Sequence, residues 1–168
     1  MLQPDHAEAL GLLAPMPYCE ARRPAQIDEA ERCLLLAAQQ RQPGSFQLES
    51  TIHSAHCQHA FTGQTPRSAV ANLNGLLVAN CRSTKASTGH AVARAEAGDV
   101  PSGLMYLRAM PDGEIAASQT YWVAGAYLER RASHTQDAEA ALQRALGLTN
   151  DPRVRAHLQA TAPTTLAK

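Results

Sequence analysis

Apolar residues recur at helical spacing along most of this chain, and turn-forming residues punctuate them. The first such segment is His6 to Ala14, with Asp5 placed as its N-cap. Pro15 and Pro17 interrupt it, because a proline in a helix interior removes a hydrogen bond and clashes with the preceding turn. A short broken helix and loop follow through Tyr18 to Ala25. A second helix is predicted over about Ile27 to Gln40, with Cys33, Leu34, Leu35 and Ala38 as its stripe, and Gln42-Pro43-Gly44-Ser45 stops it. A third is predicted from Phe46 to Phe61, with Phe46, Ile52, Ala55 and Ala60 facing inward. Thr65 then caps a fourth helix that has Pro66 at its first position and runs from about Arg67 to Asn80, burying Val70, Leu73, Leu76 and Leu77. A polar stretch from Cys81 to Thr88 precedes a fifth helix, about Ser87 to Ala97. The sixth is Pro101 to Met110. Asp112-Gly113 reads as a turn, and the seventh helix as Glu114 to Arg131. The eighth is Gln136 to Leu148 and the ninth Pro152 to Ala160. The tail, Thr161 to Lys168, has little to bury.

The segment from Tyr121 to Pro152 is the most regular. Trp122 and Ala126 fall on its first helix. Ala138, Leu142 and Ala145, spaced by four and three, fall on the face of the second that must nest against the first. Pro152 follows where it no longer damages a helix. This is the pattern of a tetratricopeptide-like helix–turn–helix. Gly103-Leu104 precedes Ala138-Glu139 by 35 positions (103 to 138), again after a turn-like Gly98-Asp99, which predicts a more degenerate unit upstream. The fold class expected is all-α: an array of antiparallel helix pairs, about eight or nine helices, forming one domain over residues 1–160 with a flexible tail at 161–168.

Composition narrows the function. The chain has 168 residues, 45% hydrophobic but only 4% aromatic, and the apolar content is mostly Ala and Leu, as in closely packed helices. Sparse Val and Ile argue against a large sheet. Fifteen basic and fifteen acidic residues leave no net charge, hence no electrostatic drive toward nucleic acid. Arg22-Arg23 and Arg130-Arg131 are isolated pairs, so direct DNA binding is not expected. No apolar run approaches the roughly 20 residues needed to cross a bilayer. The opening MLQPDHAEA lacks a signal-peptide pattern, so a cytoplasmic location is expected. Cys19, Cys33, Cys57 and Cys81 are dispersed and form no CxxC pair, which reads as small buried hydrophobes.

Signals of chemistry are thin. GxSxG, HExxH and phosphate-loop motifs are absent from the sequence. His53, His56, Cys57 and His59 form the densest set of potential metal ligands. His53, His56 and Cys57 span about 100° of a helix face, and histidines three apart can share a transition metal. The plainer reading is a polar helix face with a half-buried Cys57, since no further ligand is marked by spacing. Asp99 and Asp112 sit in turns and read as caps. Glu129-Arg130-Arg131 reads as a solvated helix end with its cations favoured by the helix dipole.

Several segments together resemble one family. PDHAEALGLLA, EARRPA, RQPGSFQLESTIHSAH, GHAVARAEAGDVPSGLMYL and EAALQRALGLTNDPRVRAHL occur in an order, from Pro4 to Leu158, that is similar to the C-terminal extension of bacterial extracytoplasmic-function (ECF) RNA polymerase sigma factors. The departures are that Pro15 and Pro17 stand where that family has leucines, and that among the clustered histidines only His56 matches. The family's sigma regions two and four, which bind core polymerase and promoter DNA, have no counterpart in these residues. The resemblance implies a non-enzymatic interaction and regulatory module acting in transcription initiation. It implies no cofactor, and a protein partner such as RNA polymerase or sigma regions. In such an array a partner docks in a groove, for which Tyr106, Tyr121, Trp122 and Arg130 are the candidate residues; Trp122 also suits core packing between helices. The alternative is a metal- or small-ligand-binding helical protein, or an enzyme, using His53, His56, Cys57 and His59.

Overall fold

The structure is a computed structural model that describes residues 44–62 and 66–160, with the side chains of 57–62 excepted. The helices expected before residue 44, the Thr65 cap and the tail lie outside the described residues. Among the described residues the fold is all-α, with eight helices and no strand: α1 (Ser45–Thr62), α2 (Arg67–Asn80), α3 (Thr84–Glu96), α4 (Val100–Arg108), α5 (Asp112–Ile115), α6 (Gln119–Arg131), α7 (Thr135–Gly147) and α8 (Pro152–Ala160). Contacts divide the chain into two compact units that meet between Ala86 and Ser87, inside α3. No described helix is long and apolar enough to cross a membrane.

In the first unit α1 packs on α2. Leu48 and Leu77 are buried together with Ala86 at the start of α3, flanked by Ile52, Leu73 and Val78. The rest of the α1 stripe is small and polar: Gln47, Ser50 and Ser54 are buried, and Ser50 Oγ donates to the Phe46 carbonyl at 2.7 Å. Phe46 is exposed instead of core. The buried stripe runs through Gln47, Leu48, Ser50, Ser54 and Ala55, and Phe46 lies at its edge in the first turn. On α2, Leu76 is also exposed, and Asn74 takes the expected inner place between Val70 and Leu77, its Nδ2 donating to the Val70 carbonyl at 2.9 Å. Pro66 is the N-cap of α2, not its first helical residue. Cys81 is exposed at the other end of α2, correcting its reading as a buried hydrophobe.

The second unit is built from two helix pairs in one register. α3 and α6 run from 84 to 96 and from 119 to 131, and α4 and α7 start at 100 and 135, so the pairs are offset by the 35 residues that separate Glu96 from Arg131. The turns match too. After α3, Gly98 adopts φ +107° and Asp99 N–H reaches back to the Arg94 carbonyl; after α6, Ser133 adopts φ +65° and His134 N–H reaches back to the Glu129 carbonyl. Both are left-handed helix stops of the Schellman kind. In the sequence, Gly63 and Pro66 stand 35 positions before Gly98 and Pro101 (63 to 98).

Small residues set the spacing between helices. A Cβ on Gly103 would lie 2.6 Å from the Ala91 carbonyl oxygen and 3.2 Å from Ala95 Cβ, so α4 crosses α3 at near backbone contact. Leu104, Leu107, Ile115, Tyr121, Ala124 and Leu128 complete that core. A second cluster joins Ala126 of α6 to Ala141, Leu142, Ala145 and Leu146 of α7 and to Leu158 of α8, and Trp122 packs against both clusters. The expected inner residues Ala126, Ala138, Leu142 and Ala145 are thus buried.

The largest boundary differences from the sequence pattern have local causes. The helix expected from Glu114 to Arg131 is broken. Asp112–Ile115 is a separate short helix, and Ser118 starts α6 anew by accepting the Tyr121 N–H on its hydroxyl. Asp112 therefore begins a helix instead of a turn. α3 starts at Thr84, earlier than expected, because Ser83 Oγ accepts from the Ala86 N–H. Asp99 caps α4 as expected, and the hydrogen bonds from the Ser102 side chain and backbone lower its pKa.

Replacing Gly103 by Ala should cost about 2 kcal/mol, since the new methyl meets a backbone carbonyl that cannot move freely. Ser133→Gly should stabilise by about 1 kcal/mol by relieving a left-handed non-glycine residue. Urea denaturation of the full chain measures both. An unchanged midpoint in either variant contradicts the stated cause.

Candidate functional site

Charged side chains converge where α4, α6 and α7 meet. Glu129 is in the last turn of α6 and is buried, with its side chain 9% exposed. Arg108, at the end of α4, donates to its Oε1 through Nε at 3.1 Å and Nη2 at 2.7 Å. His134, the N-cap of α7, places Nδ1 2.8 Å from its Oε2. Asp137, in the first turn of α7, lies 3.8 Å from Arg108 Nη2. One carboxylate therefore ties three helices together. The reading of Glu129 as part of a solvated helix end is corrected. The helix end itself continues outward through Arg131, which pairs with Glu96 at 3.0 Å and donates to Tyr127 Oη at 2.9 Å.

Register explains this cluster better than catalysis does. Arg94 and Asp99 occupy the positions of Glu129 and His134 in the preceding helix pair, and they form an ion pair at 3.4 Å across the same turn. The two turns carry the same clasp with its acidic and basic residues exchanged. Glu129, His134 and Asp137 could also hold a metal ion by proximity. The donor set fits such an ion poorly, because both Glu129 oxygens are occupied and the Arg108 guanidinium already stands as the cation beside Glu129 and Asp137.

Beside the clasp the outer face of α4 is apolar. Pro101, Leu104, Met105, Arg108, Ala109 and His134 line an open depression of about 530 Å³. Met105 is 67% exposed. A side chain of that size and exposure next to other apolar atoms is a surface that a partner can cover.

The residues singled out from sequence are distributed differently. Tyr121 is buried in the α4–α6 core, edge-on to Trp122 at 5.0 Å, and its burial, with Asp112 adding, raises its pKa. Trp122 is half-buried between the two clusters and carries Arg144 over its ring at 4.7 Å. Its Nε1 is buried without an acceptor among the described residues. Tyr106 is half-buried and edge-on to His90 at 4.9 Å. Arg130 is half-buried near the α6 end. Tyr121 and Trp122 are thus joined by contact, while the depression is lined by none of the four. Of the alternative ligand set, His53 and His56 are exposed on α1, and the Cys57 and His59 side chains lie outside the described residues. Partial desolvation lowers the His53 pKa, His56 and Lys85 lower it further, and Glu49 opposes them. Sequence reading missed Arg108, Glu129, His134 and Met105. For Glu129 and His134 the signal is the 35-residue register, which sets them against Arg94 and Asp99.

No protein-family model, curated protein or solved structure matches the chain.

Two outcomes test this geometry. Arg108→Met keeps the aliphatic stem but removes the charge, and should cost about 2 kcal/mol in the native chain. In a Glu129→Gln background the same change should cost about 1 kcal/mol less, as read by urea unfolding in a double-mutant cycle. Equal costs in both backgrounds would show that the pair carries no stability. For His53, the folded pKa lies below the ordinary value, so the folded chain binds fewer protons than the unfolded chain just below that value. Stability should therefore rise with pH through the window ending near about 6.5 and level off above it. His53→Gln should flatten that slope when melting temperatures are recorded from about pH 5 to 7.5.

Proposed function

We propose that this chain is a non-enzymatic scaffold of tetratricopeptide-like helix pairs that holds a protein partner. The observation that carries this reading is the shared register of α3–α4 and α6–α7, down to their turn geometry and clasps. Such units bury their inner faces against one another and leave outer faces to bind. Both oxygens of Glu129 are consumed in pairing with Arg108 and His134, which supports a role in holding the helices and not in moving protons. The exposed apolar face of α4 supports docking.

The partner we infer belongs to transcription initiation: core RNA polymerase, or the polymerase- and promoter-binding regions of an ECF sigma factor, in a bacterial cytoplasm. Support for this identity is the ordered resemblance from Pro4 to Leu158 alone. The role is regulatory, with the chain contacting protein and not promoter DNA.

Immobilised full-length chain should retain core RNA polymerase or purified ECF sigma regions above the level of a composition-matched scrambled control. Retention equal to the control for both would remove the transcription reading and leave the scaffold without this partner.

A further inference from the structure

The α4 depression differs from its counterpart in the next helix pair. On α4 the exposed positions lining the depression are Pro101, Met105, Arg108 and Ala109, above a buried Leu104. The positions 35 residues on from the exposed four, along α7, are Gln136, Ala140, Gln143 and Arg144, and all four are exposed. Since both helices occupy the same place in the same kind of hairpin, the hairpin itself does not demand an apolar outer face. The α4 face therefore requires a separate cause, and a bound partner supplies one.

The rim indicates the partner's chemistry. The ionisable side chains lining the depression are Arg108 and His134, both basic. Glu129 holds them from behind, and its own carboxylate is buried. Arg108 spends Nε and Nη2 on Glu129. Its Nη1, and His134 Nε2, have no partner among the described residues. Asp137 approaches Arg108 from the α7 side without lining the depression. A ligand there meets an apolar floor, an adaptable methionine and nitrogen atoms on Arg108 and His134 that remain unused.

We propose that this depression docks an acidic peptide segment: an apolar side chain seated on Leu104 and Met105, with a carboxylate within about one helical turn of it paired to Arg108. The proposal rests on the interaction-module reading and specifies the partner of that module. A volume of about 530 Å³ is within the range of about 300–1,000 Å³ for ligand sites. The open rim favours one or two anchoring side chains over a fully enclosed small molecule. Binding should weaken with salt, because the ion pair forms at an exposed guanidinium.

Panning a random dodecapeptide phage library on the intact chain tests this. Enriched sequences should share Leu, Ile, Phe or Met with Asp or Glu within four positions. Synthetic peptides made from them should bind at least about tenfold more weakly to Met105→Glu, measured by fluorescence anisotropy. Met105 is exposed, so this variant should keep its melting temperature, and Met105→Ser serves as a second variant free of added charge. Converting the peptide's acid to its amide should weaken binding to the native chain but not to Arg108→Gln. A basic or purely apolar consensus, or equal binding to the Met105 variants, would overturn the acidic-peptide assignment while leaving the scaffold reading intact. Failure to enrich any peptide would overturn both.

Discussion

The carboxylate of Glu129 is the constraint around which the second unit is arranged. A buried charge is costly unless fully paired, and this one is paired on both oxygens, to Arg108 of α4 and His134 of α7. Removing either partner would leave part of that charge uncompensated. The three helix ends are thereby fixed relative to one another, and the same clasp turns Arg108 and His134 toward the outer face of α4. The register-matched pair Arg94–Asp99 performs the simpler version of this task on an exposed turn, without a third helix. Burial and recruitment of Arg108 are what distinguish the second clasp.

Between the clasps the helices are held by the size of small side chains. Ala91 and Ala95 are fully buried, and Gly103 meets the Ala91 carbonyl where even a methyl group does not fit. In the next pair Ala126, Ala138 and Ala145 are likewise buried, and a Cβ on Gly125 would lie 3.6 Å from Ala141 Cβ. A core of this kind gains less from each residue than an aromatic core, but it gains from dispersion at short range along the whole helix length. It also accounts for the low aromatic content. Trp122 is the exception, filling the space between two clusters and shielded by Arg144.

The all-α class was legible in the alternation of apolar stripes with Gly- and Pro-containing turns, α2 ends where the pattern places it, and α8 spans the expected Pro152–Ala160. The inner positions Ala138, Leu142 and Ala145 were legible as well, since four- and three-residue spacing defines one helix face. The break at Ala116 to Ser118 was not, because a serine that caps through its hydroxyl is indistinguishable in sequence from one on a helix surface. Phe46 and Leu76 misled for a different reason: Gln47, Ser54 and Asn74 occupy inner positions that hydrophobicity alone gives to larger apolar residues. The clasp was illegible from local pattern because Arg108 and Glu129 are 21 positions apart, and the repeat register relates only Glu129 and His134 to earlier residues, Arg94 and Asp99. Met105 carried no signal of exposure, since an outward methionine and an inward one look alike in a short helix.

Hydrogen exchange of the intact chain, comparing native protein with Glu129→Gln, tests the central claim most directly. If one buried carboxylate ties α4, α6 and α7 together, exchange should accelerate in concert at the end of α4, the last turn of α6 and the first turn of α7, with α1 and α2 unchanged. Acceleration confined to the last turn of α6 would contradict the claim, and so would a uniform increase across the chain.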